Sequence, residues 1–331
     1  MKDLNLFFSD LSEPYREIFA DCEHVWEPLT TLGPRLKQMM RKKAQSVSHI
    51  SHLPGVRTTL DSASYHRGEQ GLYVQDWIDL AEPVYLNELD IFIGKGTQLE
   101  PSAIIKGPAI IGENCDIRQG AYIRGNALIG NHSVVGHATE MKNSILMDHT
   151  EAGHFNYIGD SIIGSHVNLG AGSKLANLQL RSADEKRKNY INPIQIPLDS
   201  GILDTGIEKL GAVIGDNVEL GCNAILCPGT LIGKDVWIYP GMTVPKGYYP
   251  AGTLLVPKDR NPRSTRKEWN TTNPKTRPGS MNFSKCSMPL KMILLNWFLM
   301  KMKSLAKLAG TNACLSPSAI CVFIAKILES A

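Results

Sequence analysis

The stretch IGKGTQLEPSAIIKGPAIIGENCDIRQGAYIRGNALIGNHSVVGHATEMKNSILM, residues 93–147, decides the fold. Stepping by six from its first residue lands on Ile93, Leu99, Ile105, Ile111, Ile117, Ile123, Ile129, Val135, Met141 and Met147, all aliphatic or Met. Gly follows directly at 94, 112, 130 and 136. A second run in a new phase goes Tyr157, Ile163, Leu169, Leu175, and a third goes Ile214, Leu220, Leu226, Ile232, Ile238, Val244. A helix would scatter such positions around its axis, and an ordinary sheet has period two. Period six fits one short strand plus one tight corner, and three such units close a triangular coil of about eighteen residues. The aliphatic residue points inward and stacks on its equivalent in the next coil. Gly, Asn and Asp crowd the corners, where a positive φ is needed. The expectation is an all-β solenoid: a left-handed parallel β-helix of hexapeptide repeats, over residues 91–256.

Working outward, stacked coils need their open ends covered. Residues 1–90 are expected to form a small α/β N-terminal cap, helices first and then short strands. Tyr15, Ile18, Phe19 and Cys22 follow helical spacing after Ser12 as N-cap. Pro28 interrupts that pattern, and a second helix is expected from about Arg35 to Ala44. The repeat stops between Leu180 and Val213, so residues 180–213 read as an excursion from the coil. Residues 257–331 read as a polar linker followed by a helical tail. The apolar, Lys-rich segment LKMILLNWFLMKMKSLAKLAG is expected to pack on a partner, with contact to a membrane surface as the lesser alternative.

Composition excludes several classes. With 35 basic and 32 acidic residues, net charge +3, there is no electrostatic case for nucleic acid as a partner. The cysteine count is odd, at seven, and no CxxC pair occurs, so neither a disulfide framework nor a cysteine zinc site is suggested. Reduced thiols in a cytoplasm are expected. The N-terminal stretch has too short an apolar run and is too acidic for a signal peptide. No stretch reaches eighteen apolar residues.

The segments YIRG (122–125), VGHATEMKNS (135–144), EAGHFNYIGDS (151–161) and VNLGAG (167–172) carry a more specific signal. The stretch Ala121–Asn177 resembles the C-terminal acetyltransferase domain of the bacterial bifunctional N-acetylglucosamine-1-phosphate uridyltransferase/glucosamine-1-phosphate acetyltransferase family, of the hexapeptide-repeat transferase superfamily. The run from EMK through AGH to NYIGD keeps that family's spacing without gaps. The resemblance implies an N-acetyltransferase that uses acetyl-CoA and needs no metal for acetyl transfer. It implies His154 as catalytic base, and Tyr157 and Asn168 as sugar-binding residues. It implies Arg124 and Lys142 as the cations holding a sugar phosphate. The Ala171 amide would donate to the thioester oxygen, and Asn177 would sit near the reacting amine. Cys222 matches a serine near the coenzyme, and Lys209 matches a further phosphate-binding lysine if the excursion is skipped. The implied substrate is an amino-sugar phosphate, most readily glucosamine 1-phosphate, and the implied assembly is a homotrimer.

General chemistry reads the same residues consistently. Attack of an amine on a thioester needs a base, and an unperturbed imidazole titrates near neutrality. A developing oxyanion needs a fixed N–H donor, which a Gly-rich corner exposes. A phosphate monoester needs Arg or Lys. Two features depart from the family: Leu178 stands where an aromatic is usual, and a long excursion follows in place of a short loop. Residues 1–92 also lack a GxGTRM-type nucleotide loop, so no uridylyl transfer is expected. Three alternatives stay open. The acceptor could be a nucleotide amino sugar. His132 with His137, or His149 with His154, could hold zinc as in gamma-type carbonic anhydrases. The coil could also be a non-catalytic scaffold.

Overall fold

The computed structural model describes residues 3–44, 53–58, 71–257 and 265–268. The Lys-rich segment near the C-terminus lies outside them. Among the described residues no helix is long and apolar enough to cross a membrane.

The hexapeptide strands form three parallel sheets that close into a prism, a left-handed parallel β-helix. Face one begins with Ile91–Ile93, face two with Gln98–Leu99 and face three with Ile104–Ile105. Register confirms the inward stack: Ile93 pairs with Ile111, Leu99 with Ile117 and Ile105 with Ile123. Each of these six side chains is fully buried, and removing one such side chain from water stabilises by about 1.5–3 kcal/mol. Corner hydroxyls satisfy carbonyls that the strands leave over: Ser133 Oγ donates to Met147 O at 3.0 Å and Thr150 Oγ1 to Gly164 O at 2.6 Å. Cys115 does the same, its Sγ reaching Gly130 O at 3.0 Å, and burial pushes its thiol up to about 11.

The coil is not uniform. Glu113 and Asn131 bond across one coil of 18 residues. From Asn143 to Asp160, and again from Asp160 to Asn177, the step is 17. The residue is lost at the corner between faces three and one, and this corrects two expectations. Ile129 pairs with Leu146, so Leu146 and not Met147 joins the inward stack, while Met147 points outward into a second core. Met141 pairs with Ile158, so Ile158 takes the inward place and Tyr157 faces out.

The N-terminal helices also differ from expectation. Helix α1 is Tyr15–Phe19 and helix α2 is Pro28–Lys43. Ser12 does not cap α1 with its side chain; its carbonyl accepts from Tyr15 and Arg16. Pro28 starts α2 rather than interrupting it, which suits a residue with no N–H at a helix's first turn. The helices do not cover the open end of the coil. They lie along face one, whose outward residues Phe92, Ile110, Leu128, Ile145 and Ile162 are themselves apolar and need cover. Strands Leu72–Val74, Ile78–Asp79 and Val84–Leu86 pair antiparallel with the first coil and close that end instead.

Helix α2 follows one corner of the prism. Leu29 O accepts from Asn143 Nδ2 at 3.3 Å, Gly33 lies against Asn126, and Lys37 pairs with Asp90 at 2.8 Å. Four helical residues rise about 6 Å, close to the roughly 4.8 Å between coils, so each turn meets the next corner residue down. The excursion leaves at Asn177, forms helix α3 (Ala183–Lys188) and a hairpin (Gln195–Leu198 with Gly201–Asp204), and returns where it left. Leu210 N donates to Asn177 O at 3.2 Å, and Gly211 N to Asp160 O at 2.8 Å. Ile194 and Ile196 of the excursion join the same outer core on face one.

Candidate active site

Face three carries most of the expected residues on its outer surface. In strands Tyr122–Ile123, Glu140–Lys142 and Tyr157–Gly159 the middle stack points inward, so alternate residues point out. Tyr122, Glu140 and Tyr157 line up along the centre, because Tyr122 pairs with Glu140 and Glu140 with Tyr157. Arg124 and Lys142 follow one position beyond the paired Ile123 and Met141, on successive coils. Both cations already have carboxylate partners. Arg124 Nη1 meets Glu140 Oε1 at 2.6 Å, and Lys142 Nζ lies 3.8 Å from Asp160 Oδ2. The Arg124 pair is exposed enough to be worth only about 0–1 kcal/mol, so an arriving anion can recruit the guanidinium at little cost.

At the edge of face three nearest face one, Asn143, Asp160 and Asn177 stack as a ladder. Asn143 Nδ2 donates to Asp160 Oδ1 at 2.7 Å, and Asn177 Nδ2 donates to Asp160 Oδ2. The Tyr157 hydroxyl donates to Asn177 Oδ1 at 3.2 Å. Tyr157 has its phenol pushed up by burial and, next, by the Glu140 and Asp160 charges, so it stays protonated and able to donate. The excursion's return brings Lys209 to the same edge, since its neighbour Leu210 is bonded to Asn177.

His154 stands at the opposite edge of face three, at the corner shared with face two. It ends strand Glu151–His154, pairs in register with His137, and is exposed. The buried Asn156 shapes that corner: Asn156 Oδ1 accepts from His154 N at 3.1 Å, and Asn156 Nδ2 reaches Gly170 O at 2.9 Å. One coil on, Gly172 N donates to His154 O, and Asn223 N donates to Ala171 O, so His154, Ala171 and Cys222 follow one another up the same corner. The amides of Gly170 and Gly172 are both spent inside the coil, whereas the half-exposed Ala171 amide donates to no group within the described chain. Cys222 is exposed.

Asn168 does not join either group. It lies on face two, exposed, with Nδ2 donating to Glu219 Oε2 at 2.9 Å. Within one chain it therefore faces away from Tyr157. The histidine pairs considered for zinc also separate. His132, His149 and His166 stack at the corner between faces one and two, with ring centroids 4.8 and 4.7 Å apart, while His137 and His154 occupy another corner. Among the described residues no three His, Cys, Asp or Glu side chains gather as a metal site.

Three residues escaped the reading of the sequence: Glu140, Asn156 and Asp160. The signal for Asp160 was present, because it lies 17 residues after Asn143 and 17 before Asn177, the period of the shortened coil. Asn156 carried a weaker one, as a polar residue between the outward Phe155 and Tyr157.

The chain is similar in sequence to several known proteins. A family model described as the GMPPB C-terminal domain matches residues 105–192. The uncharacterized acetyltransferase YaiX of Escherichia coli O6:K15:H31 and the YaiX protein of Escherichia coli K12 are each 33% identical over 160 residues. Those residues are 48% of this chain, and the chain spans 66% of the length of these relatives. A bifunctional sugar-1-phosphate nucleotidylyltransferase/acetyltransferase of Sulfurisphaera tokodaii is 31% identical over 105 residues, covering 32% of this chain and 24% of that one. Among solved structures, a UDP-N-acetylglucosamine acyltransferase of Francisella novicida aligns at 17% identity and TM-score 0.30, over 58% of this chain and 64% of that one. The β-helix of this chain is thus a hexapeptide-repeat domain, similar in sequence to the GMPPB C-terminal domain and to proteins named as acetyltransferases.

Proposed function

We propose that this protein is an acetyl-CoA-dependent N-acetyltransferase acting on an amino-sugar phosphate, with glucosamine 1-phosphate as the leading acceptor. The observation that carries this reading is the grouping on face three: Arg124 and Lys142 beside the Tyr157–Asn177 hydrogen bond, with His154 at the other edge of the same face. In this reading the two cations take the phosphate, and Tyr157 and Asn177 hold the sugar. His154 removes a proton from the amine as it attacks the thioester carbonyl. The unspent Ala171 amide donates to the oxygen on which negative charge develops. Cys222, on the same corner, is assigned to the coenzyme side, and Lys209 to the phosphate side. Asn168 points away from this group, so its sugar-binding role requires a neighbouring copy. The homotrimer supplies one, with the site lying between subunits. The protein is assigned to the cytoplasm, where acetyl-CoA is made and used.

A second reading has one observation in its favour. Lys106 continues the Arg124–Lys142 column by one coil, and Lys106 and Arg124 lie 5.3 and 5.8 Å from the Tyr122 ring. A longer cationic row suits a diphosphate, and so a nucleotide-linked amino sugar. The deciding experiment is a rate comparison using acetyl-CoA with an amino sugar, its 1-phosphate and its nucleotide diphosphate ester. The first reading expects the 1-phosphate to be acetylated well and the unphosphorylated sugar poorly. Equal rates with and without phosphate would remove Arg124 and Lys142 from the acceptor site. Preference for the nucleotide ester would select the second reading.

A further inference from the structure

We propose that Asp160 is a positioning residue of the acceptor site, setting the orientation of the Asn177 amide and the place of Lys142; this rests on the acetyltransferase reading of face three. The Asp160 side chain is only 8% exposed, yet it faces polar groups from several parts of the chain. Asn143 Nδ2 donates to Oδ1 at 2.7 Å; Asn177 Nδ2 donates to Oδ2; Lys142 Nζ stands 3.8 Å from Oδ2. Its own backbone is pinned twice, with Asp160 N donating to Lys142 O at 3.0 Å and Gly211 N donating to Asp160 O at 2.8 Å.

The consequence follows from donor and acceptor counting. A carboxylate only accepts, whereas a carboxamide has one accepting and one donating end. With Asp160 beside it, Asn177 must turn Nδ2 toward the carboxylate, because a flipped amide would set Oδ1 against Oδ2. Asn177 Oδ1 is then fixed toward the Tyr157 hydroxyl, which donates to it at 3.2 Å. An oxygen held there retains a second lone pair for a donor group of the acceptor sugar. The Tyr157 oxygen, its proton committed to Asn177, is left able to accept from a sugar hydroxyl. Asp160 itself touches no substrate in this arrangement. It acts through Asn177 and Lys142, and Asn143 ties the ladder to α2 through Leu29 O at 3.3 Å.

Three proteins test this: Asp160→Asn, Asn177→Asp, and the double variant that exchanges carboxylate and amide. In Asp160→Asn an amide can present its own N–H groups to Asn143 and Asn177, so Asn177 loses its fixed orientation. We expect kcat with the amino-sugar phosphate to fall about 100-fold, the scale of a small misplacement at a reacting centre. The Kd for acetyl-CoA should stay unchanged, because the corner assigned to it is the far one. Asn177→Asp sets two carboxylates together and should lose activity likewise. The double variant restores one acceptor and one donor, and should exceed both singles. A double variant no better than Asn177→Asp overturns the proposal, and that comparison stands even if Asp160→Asn fails to fold. A readout free of any activity separates this from failure of the enzymatic reading. In asparagine-labelled wild-type protein, the Asn177 side-chain amide should show one hydrogen-exchange-protected proton, missing in Asp160→Asn. Persistence of that protected proton in Asp160→Asn would contradict the positioning role whether or not acetyl transfer is found.

Discussion

Among single residues, corners such as Asn126, His132 and Asn143 turn through a positive φ, while some strand-end glycines are required by close approach instead. Gly136 shows this. It pairs across coils with Gly153, and a Cβ on it would overlap the Gly153 carbonyl. Gly153 sits at the same corner one coil on, yet a Cβ there would meet nothing nearer than Arg118 Nη1 at 4.0 Å. Gly136→Ala should therefore cost about 1–3 kcal/mol or more of stability, while Gly153→Ala should be nearly neutral. Denaturant midpoints of the two variants check this, and equal midpoints would contradict the packing. The same scale shows what the sequence made legible. Inward aliphatics announce themselves because period six leaves them no other role. Tyr157 reads as a stack member because an aromatic at a repeat position looks like core; the 17-residue spacing of Asn143, Asp160 and Asn177 carries the phase shift, but only strand register shows which corner loses the residue. Arg124, Lys142 and His154 were identified by family spacing, not by physics; a lone charged residue on an outward strand position is ordinary.

Among the elements, the face-one strands carry a signal in their composition that the period-six pattern alone does not show. Segments such as IFI, AII and ALI are apolar at all three positions, so they are buried on both sides and require an outer cover. That requirement explains why α2 and the excursion lie along face one and why the N-terminal helices are not an end cap. The excursion's helix carries its own test. Glu185 of α3 accepts from Ser182 N at 2.7 Å in a capping box, and from Asn192 N at 3.1 Å. Those hydrogen bonds, the Ser182 backbone one foremost, hold its carboxyl down at about 2, against an ordinary 4.5. A depressed carboxylate stabilises above its ordinary value, and the contribution is lost as pH falls through the folded value. Hydrogen-exchange protection over residues 183–188, with the intrinsic pH dependence of amide exchange divided out, should thus be highest near pH 6 and fall progressively from about pH 4.5 toward 2. Glu185→Gln, which can still accept in the capping box but carries no titrating charge, should remove that pH dependence. Protection unchanged across this range in the wild-type protein would deny the Glu185 carboxylate its role.

At the scale of the whole molecule, face one is covered from within the chain, while faces two and three present Trp237 at 46% exposure, Ile225 at 40% and Phe155 at 54%. In the proposed homotrimer these apolar side chains and Asn168 are assigned to the contacts with neighbouring copies. Light scattering on the purified protein should give about three times the 36.4 kDa of one chain. A monomer of full acetyltransferase activity would sink the shared-site arrangement. The proposed role of His154 as the base in an acetyl transfer is tested by steady-state acetylation of glucosamine 1-phosphate by wild-type protein and by His154→Ala, His137→Ala and His149→Ala. A kcat loss of about 10²–10⁴-fold is expected at His154 alone, with acetyl-CoA binding and thermal melting preserved. A fully active His154→Ala, or equal losses at all three histidines reversed by added zinc, would contradict it.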